Sequence, residues 1–176
     1  MPIFLLDALE AISNFFDSGG PVLYLIAGLT FVMWLLLLER GWFYLGPYKR
    51  YSANIISQWE GRQERSSWFA HAIRDKLISE TRIAINENLA LIKVLIALCP
   101  LFGLLGTVTG MIEVFTVLSI TGGGDAKSMA GGVSRATIPT MAGMVAALSG
   151  VFANIYISQK ASRESELIEE QLTMDH

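Results

Sequence analysis

The chain has 176 residues, of which 52% are hydrophobic and 16% are charged, and its formal net charge is −3. This composition is too apolar for an ordinary soluble domain, and the small net charge gives no reason to expect a nucleic-acid partner. Because Cys99 is the only cysteine, we expect neither a disulfide framework nor a cysteine-based metal site, and we predict no metal and no cofactor.

Three stretches lack charged residues and are long enough to cross about 30 Å of hydrocarbon, namely 18–38, 94–112 and 136–159. They predict an all-α integral membrane protein with three transmembrane helices and long helices that extend into the cytoplasm. The predicted segments are an N-terminal extracytoplasmic amphipathic helix (1–17), a first span (18–40), a cytoplasmic helical region (41–92), a second span (93–118), a periplasmic loop (119–132), a third span (133–159) and a cytoplasmic tail helix (160–176).

Charge along the chain predicts its orientation. Nine of the 13 basic residues lie between Arg40 and Lys93, and none precedes the first span. Loops rich in Lys and Arg stay in the cytoplasm, so the N-terminus is predicted to be periplasmic and the C-terminus cytoplasmic. The first seventeen residues lack the basic start of a secretory signal, so the first span is predicted to be retained. Gly19, Gly20 and Pro21 are predicted to break the N-terminal helix and open that span.

The cytoplasmic region has apolar residues at spacings of three and four, which predict two helices joined near Gly61. No Gly or Pro follows Thr81 before the second span, so we predict a helix that enters this span without a break. Glu39 and Arg40 are interpreted as a solvated pair at the membrane boundary. His71 has no neighbouring ligand residues and favours a surface or packing role over metal binding. The tail helix is predicted to pack on the cytoplasmic helices.

The second and third spans each carry one face of small and polar residues. At 100° per residue, small residues cluster around Thr107 on one helix and around Thr140 on the other, with large apolar side chains on the opposite arcs. Close helix packing and the lining of a path both explain such faces, and Thr109, which points away from Thr107, is predicted to bond to its own helix. The other residues assigned to pore lining or helix packing are Gly103, Gly106, Gly110, Gly143, Ala147, Gly150 and Asn154.

Neither threonine can carry a proton as an ionised group at physiological pH. Both hydroxyls are predicted to lie in the outer half of the membrane, and the three uncharged stretches contain no Asp, Glu, Lys or His. If protons cross the membrane here, the titrating carboxylate must come from another chain.

The sequences LFGLLGTVTGM (101–111) and GGVSRATIPTMAGMVAALSGVFAN (131–154) resemble the MotA/TolQ/ExbB family of inner-membrane motor subunits, and within it the short ExbB type of marine Gram-negative bacteria. The resemblance implies a homopentamer whose second and third helices ring a pore that holds transmembrane helices of ExbD, with an Asp of ExbD as proton carrier. It maps the proton pathway onto Thr107 and Thr140. Arg135 stands where the family often has an acid, which argues against a proton role there, and we expect Arg135 to pair with a carboxylate of a partner or to stay at the outer interface. We assign Arg135 and Thr137 to partner contacts.

The resemblance predicts a multi-pass protein of the bacterial inner membrane, surrounded by lipid, that with ExbD energises TonB for outer-membrane import of iron-siderophore type ligands. Two alternatives stay open: a TolQ-like subunit for envelope integrity, and a passive ring scaffold. A permease is disfavoured because three helices form no site between inverted repeats. An enzyme is not expected, since no nucleophile, base and orienting group occur together.

Overall fold

The computed structural model describes residues 2–62, 64–65, 67–122 and 126–172. Within these ranges the chain is all-α and forms five helices. They are α1 (Pro2–Leu45), α2 (Pro47–Glu60), α3 (Trp68–Asn86), α4 (Leu89–Thr121) and α5 (Ala126–Gln171). Three helical segments are long and apolar enough to cross a membrane: Leu9–Leu45, Trp68–Ile120 and Met129–Gln171. The predicted fold class, an all-α membrane protein with three spans, is confirmed.

A kink divides α1 at Gly20. This residue has φ 67° and ψ −168°, values outside the helical region, and Pro21 follows it directly. Glycine adopts positive φ without steric cost, and proline suits the first turn of the helix that follows. The structure therefore places the change of direction where the glycines and the proline of the sequence predict it.

A second break separates α3 from α4, and here the predicted continuous helix from Thr81 is wrong. Glu87 has ψ 139° and Asn88 has φ 61°, so the helical path is interrupted. In an unbroken helix the carbonyls of Ala84 and Ile85 would accept from the amides of residues 88 and 89. Arg40 donates to the first carbonyl instead, at 3.1 Å, and the Tyr44 hydroxyl donates to the second, at 2.8 Å.

Arg40 is therefore no solvated boundary residue. Its side chain is only 2% exposed, and besides Ala84 it contacts two carboxylates, Glu87 at 3.0 Å and Glu39 at 3.3 Å. The Ala84 carbonyl at the end of α3 and the Glu87 carboxylate accept from the two terminal nitrogens of this buried guanidinium. The prediction of a solvated pair fails because Arg40 donates to the carbonyl of Ala84, which lies 44 residues further along the chain.

The connection between α4 and α5 is much shorter than the predicted loop 119–132. Helix α4 continues to Thr121, and α5 begins at Ala126. Gly122 has φ 70°, a conformation suited to glycine at a helix end. Glycine placed inside a helix costs only about 1 kcal/mol, so Gly131 and Gly132 do not stop α5. Residues 123–125 lie outside the described part of the chain.

The chain divides into two compact units, one made of residues 1–33 and 94–151 and the other of 34–93 and 152–176. In the second unit the end of α5 packs on α2 and α3, as predicted for the tail helix. Arg74 donates to the carbonyl of Leu172 at 2.6 Å, and Tyr48 donates to the carbonyl of Glu164 at 3.3 Å. Burial, together with the nearby Glu164, raises the pKa of Tyr48, which keeps its phenol protonated as a donor.

Candidate functional site

The structure brings Thr107 of α4 and Thr140 of α5 together. Their hydroxyl oxygens are in hydrogen-bond contact, and both side chains are partly exposed. Each hydroxyl also approaches the carbonyl of Gly103, Thr140 at 2.8 Å and Thr107 at 3.3 Å. The two residues that the sequence pattern singled out on separate helices therefore form one polar cluster.

This cluster has more hydrogen-bond contacts than hydroxyl protons. Two hydroxyls carry two protons, yet three contacts join Thr107, Thr140 and the Gly103 carbonyl. With Thr140 donating to the carbonyl, Thr107 donates either to the same oxygen or to Thr140. The cluster can thus reorient its donors without ionising.

Close approach of the two helix backbones creates the cluster. A Cβ atom added to Gly103 would lie 2.9 Å from Thr140 Cα, and one added to Gly143 would lie 2.5 Å from the Cys99 carbonyl oxygen. Gly106 and Gly110 make similarly tight contacts with Pro139 and Ala136. The glycine faces of α4 and α5 therefore meet each other within one chain, in agreement with the packing explanation of the stripes.

Further along α5, small residues continue this contact. Ala147 is buried, and a Cβ on Gly150 would lie 2.5 Å from the sulfur of Met33 in α1. Asn154 is partly buried, and its Oδ1 accepts no hydrogen bond from the described residues. The lining role assigned to Asn154 stays a prediction.

The predicted partner-contact residues lie at the surface. Arg135 and Thr137 are both exposed, and the Thr137 hydroxyl donates to the carbonyl of Ser134 at 2.7 Å. Thr137 lies near Thr140 in angular projection, yet its hydroxyl is used by its own helix. Thr109 donates to carbonyls of its own helix, as predicted. The threonine cluster thus contains Thr107 and Thr140 but not the other two hydroxyls.

Large apolar side chains cover the outer arcs of both helices, as the 100° projection predicts. They are exposed in the single chain, where lipid or other subunits can contact them. The exposed side chains include Leu101, Leu105, Ile112, Met141, Val145 and Phe152.

Arg40 and Tyr44 were not singled out from the sequence as structurally important. Their spacing of four residues places both on one face of α1, which is the signal that could have identified them. What no local pattern supplies is their target, the carbonyls at the end of α3 that have no partner within the helix.

Comparisons with known proteins agree with the family resemblance of residues 101–111 and 131–154. Residues 48–170 match the family model described as the MotA/TolQ/ExbB proton channel family. An ExbB-like biopolymer transport protein of Synechocystis sp. is 51% identical over 33% of this chain and 24% of its own length. The biopolymer transport protein ExbB of Helicobacter pylori is 32% identical over 51% of this chain and 61% of its own length.

A further relative, the biopolymer transport protein exbB1 of Vibrio cholerae, is 34% identical over 54% of this chain and 42% of its own length. The chain thus spans less than two thirds of the length of each of these relatives. No solved structure matches the chain.

Proposed function

Because this chain belongs to the MotA/TolQ/ExbB proton channel family, we propose that it is a subunit of an inner-membrane motor driven by the proton-motive force. Its role is to bind partner helices and provide a proton path, and it catalyses no reaction of its own. The three membrane-crossing segments and the ExbB-named relatives support this role.

The hydroxyl cluster of Thr107 and Thr140 is the observation that carries the proposal. It lies between two spans whose uncharged stretches contain no Asp, Glu, Lys, Arg or His. A carboxylate supplied by another chain would find hydroxyls there that donate to its ionised form and accept from its protonated form. In the proposed complex, five copies of the chain ring a pore, and ExbD helices inside it bring this carboxylate.

The proposed orientation places the N-terminus in the periplasm and the C-terminus in the cytoplasm. The concentration of nine basic residues between Arg40 and Lys93 supports it. In this orientation the threonine cluster lies in the outer half of the membrane. Protons arriving from the periplasm would therefore meet it early in their path.

Proton flow through this complex is proposed to energise TonB for the import of iron-siderophore type ligands across the outer membrane. The name biopolymer transport protein, which the relatives carry, supports a transport role of this kind. A TolQ-like role in envelope integrity is the alternative within the family. Copurification of the native partner from cell membranes separates the two, because each role requires its own partner set.

Thr107→Val and Thr140→Val test the proposal. Valine keeps the shape of threonine and removes one hydroxyl, so helix packing and assembly are expected to persist. Loss of a hydrogen bond to a charged group, about 1.5–3 kcal/mol, corresponds to roughly a 10- to 150-fold slower proton transfer if it is realised in the transition state. TonB-dependent uptake is the readout, with the mass of the solubilised complex as the assembly check.

Thr109→Val is the matched control, since the Thr109 hydroxyl bonds to its own helix. Uptake in this variant is expected to match that of the unchanged protein. Normal uptake in both Thr107→Val and Thr140→Val would refute a proton role for the cluster.

A passive ring scaffold is the second candidate, and the tight glycine contacts favour it. A scaffold needs only the packing, so it predicts full uptake in both valine variants and loss of function in Gly143→Leu. The proton-path proposal predicts loss of uptake in all three variants, with loss of assembly only in Gly143→Leu.

A further inference from the structure

A cleft lies in the unit formed by residues 1–33 and 94–151. Its volume is about 870 Å3, which is within the range of small-ligand sites. The walls come from residues 17–22 of α1, 106–118 of α4 and 129–139 of α5. The threonine cluster is not part of its lining.

Three charged side chains line this cleft: Asp17, Glu113 and Arg135. Each is the first charged residue beyond one of the three uncharged stretches, so all three mark the level at which hydrocarbon gives way to headgroups. Val22, Pro139 and other apolar residues line the cleft on the hydrocarbon side of this level. The cleft therefore has one apolar part and one charged part, as a phospholipid has.

All three charges are available to a ligand. Their side chains are exposed, and among the residues that the structure describes none of the three forms an ion pair. Open space lies beside one of the lining glycines. A Cβ atom on Gly131 would meet nothing within 4 Å, and the kink at Gly20 turns α1 at the rim.

We propose that this cleft binds one phospholipid whose headgroup carries a primary ammonium, as in phosphatidylethanolamine. The Arg135 guanidinium donates to the phosphate, for which its fork of N–H groups is suited. Asp17 and Glu113 accept from the ammonium, whose three N–H donors are enough for two carboxylates. An acyl chain occupies the apolar part.

The charge pattern selects among lipids. An anionic headgroup without an ammonium, such as phosphatidylglycerol, offers the two carboxylates only neutral hydroxyl donors and brings a net negative charge beside them. A choline headgroup has a positive charge but no N–H to donate. Phosphatidylethanolamine satisfies all three side chains, so it is expected to bind most tightly, with phosphatidylcholine next and phosphatidylglycerol last.

Native mass spectrometry of the full-length, delipidated protein tests this order. The protein is titrated separately with the three lipids, all with identical acyl chains, and bound lipids are counted per chain. Phosphatidylethanolamine is expected to bind about fivefold more tightly than phosphatidylglycerol, the effect of one partly solvated charged hydrogen bond. Equal binding of all three lipids would show only a nonspecific lipid shell and would overturn the proposal.

Two single changes separate the roles of the charges. Glu113→Gln is expected to reduce the preference for phosphatidylethanolamine over phosphatidylcholine, because an amide is a weaker acceptor for an ammonium. Arg135→Gln is expected to weaken the binding of all three lipids about equally, since all three contain a phosphate. Glu10→Gln, an exposed acid outside the lining, is the control and should leave every affinity unchanged.

Gly131→Leu fills the cleft without altering charge. Bound phosphatidylethanolamine is expected to fall about fivefold or more, whereas Gly28→Leu, also placed in open space but outside the cleft, leaves it unchanged. Circular dichroism confirms that both variants are folded. If Gly131→Leu changes the mass of the complex and not the retention of lipid, another polypeptide occupies the cleft and the lipid proposal is wrong.

Discussion

Arg40→Met tests whether one buried side chain maintains the break between α3 and α4. Methionine replaces the apolar stem of the arginine but removes every donor. The Ala84 carbonyl, to which Arg40 donates at 3.1 Å, would lose this partner at the end of α3. The acids Glu39 and Glu87 would lose their ion pairs with Arg40.

These losses differ in size. Leaving the partly buried Ala84 carbonyl without a partner costs about 2 kcal/mol, within the range of about 1–3 kcal/mol for buried groups. The carboxylates of Glu39 and Glu87 are 45% and 65% exposed, so water replaces the arginine there and the two ion pairs together contribute at most about 1 kcal/mol. The expected total is about 2–3 kcal/mol, most of it from the Ala84 carbonyl.

Thermal unfolding in detergent, followed by circular dichroism, measures the total loss of stability. Hydrogen exchange across residues 84–89 shows whether this loss occurs at the break between α3 and α4. Arg82→Met is the matched control. Arg82 is 54% exposed and contacts Glu169 at 2.6 Å, so its loss is expected to cost only about 0.5 kcal/mol. Equal losses in the two variants, or unchanged exchange at residues 84–89, would refute the reasoning.

Two further predictions concern backbone geometry. Gly143→Ala places a Cβ 2.5 Å from the Cys99 carbonyl oxygen, and overpacking of this kind is expected to lower the stability of the fold by about 1–3 kcal/mol. Gly28→Ala places its Cβ in open space, so the higher helix propensity of alanine is expected to raise the stability by about 0.5–1 kcal/mol. Thermal unfolding of both variants checks this, and equal melting temperatures would contradict it. Asn88→Ala should cost about 1 kcal/mol because φ is 61°, and Asn88→Gly should cost much less. If all three residues at position 88 give the same unfolding temperature, positive φ is not a constraint there.

Features with local causes could be predicted from the sequence. Uncharged length predicts the three spans, and the glycines and proline around Gly20 predict the kink in α1. Angular position on a helix identified Gly103 and Gly143 as members of small faces. It could not show that these two faces pack against each other, because periodicity orients each helix but does not choose its neighbour.

Features that depend on distant parts of the chain could not be predicted. No Gly or Pro near Asn88 indicates the break in the sequence. The donors to the carbonyls at the end of α3 are Arg40 and Tyr44, which lie on another helix. The cleft is equally invisible in the sequence, because Asp17, Glu113 and Arg135 come from three separate segments.

The contact between Gly143 and Cys99 has a practical consequence for labelling. The thiol of Cys99, the only one in the chain, is fully buried and donates to the carbonyl of Leu95 at 3.3 Å. A thiol buried in apolar surroundings is inert toward maleimides and similar reagents. The native protein can therefore serve directly as the background for single introduced cysteines, and spin labels or fluorophores can report on its movement in a lipid bilayer without prior removal of Cys99.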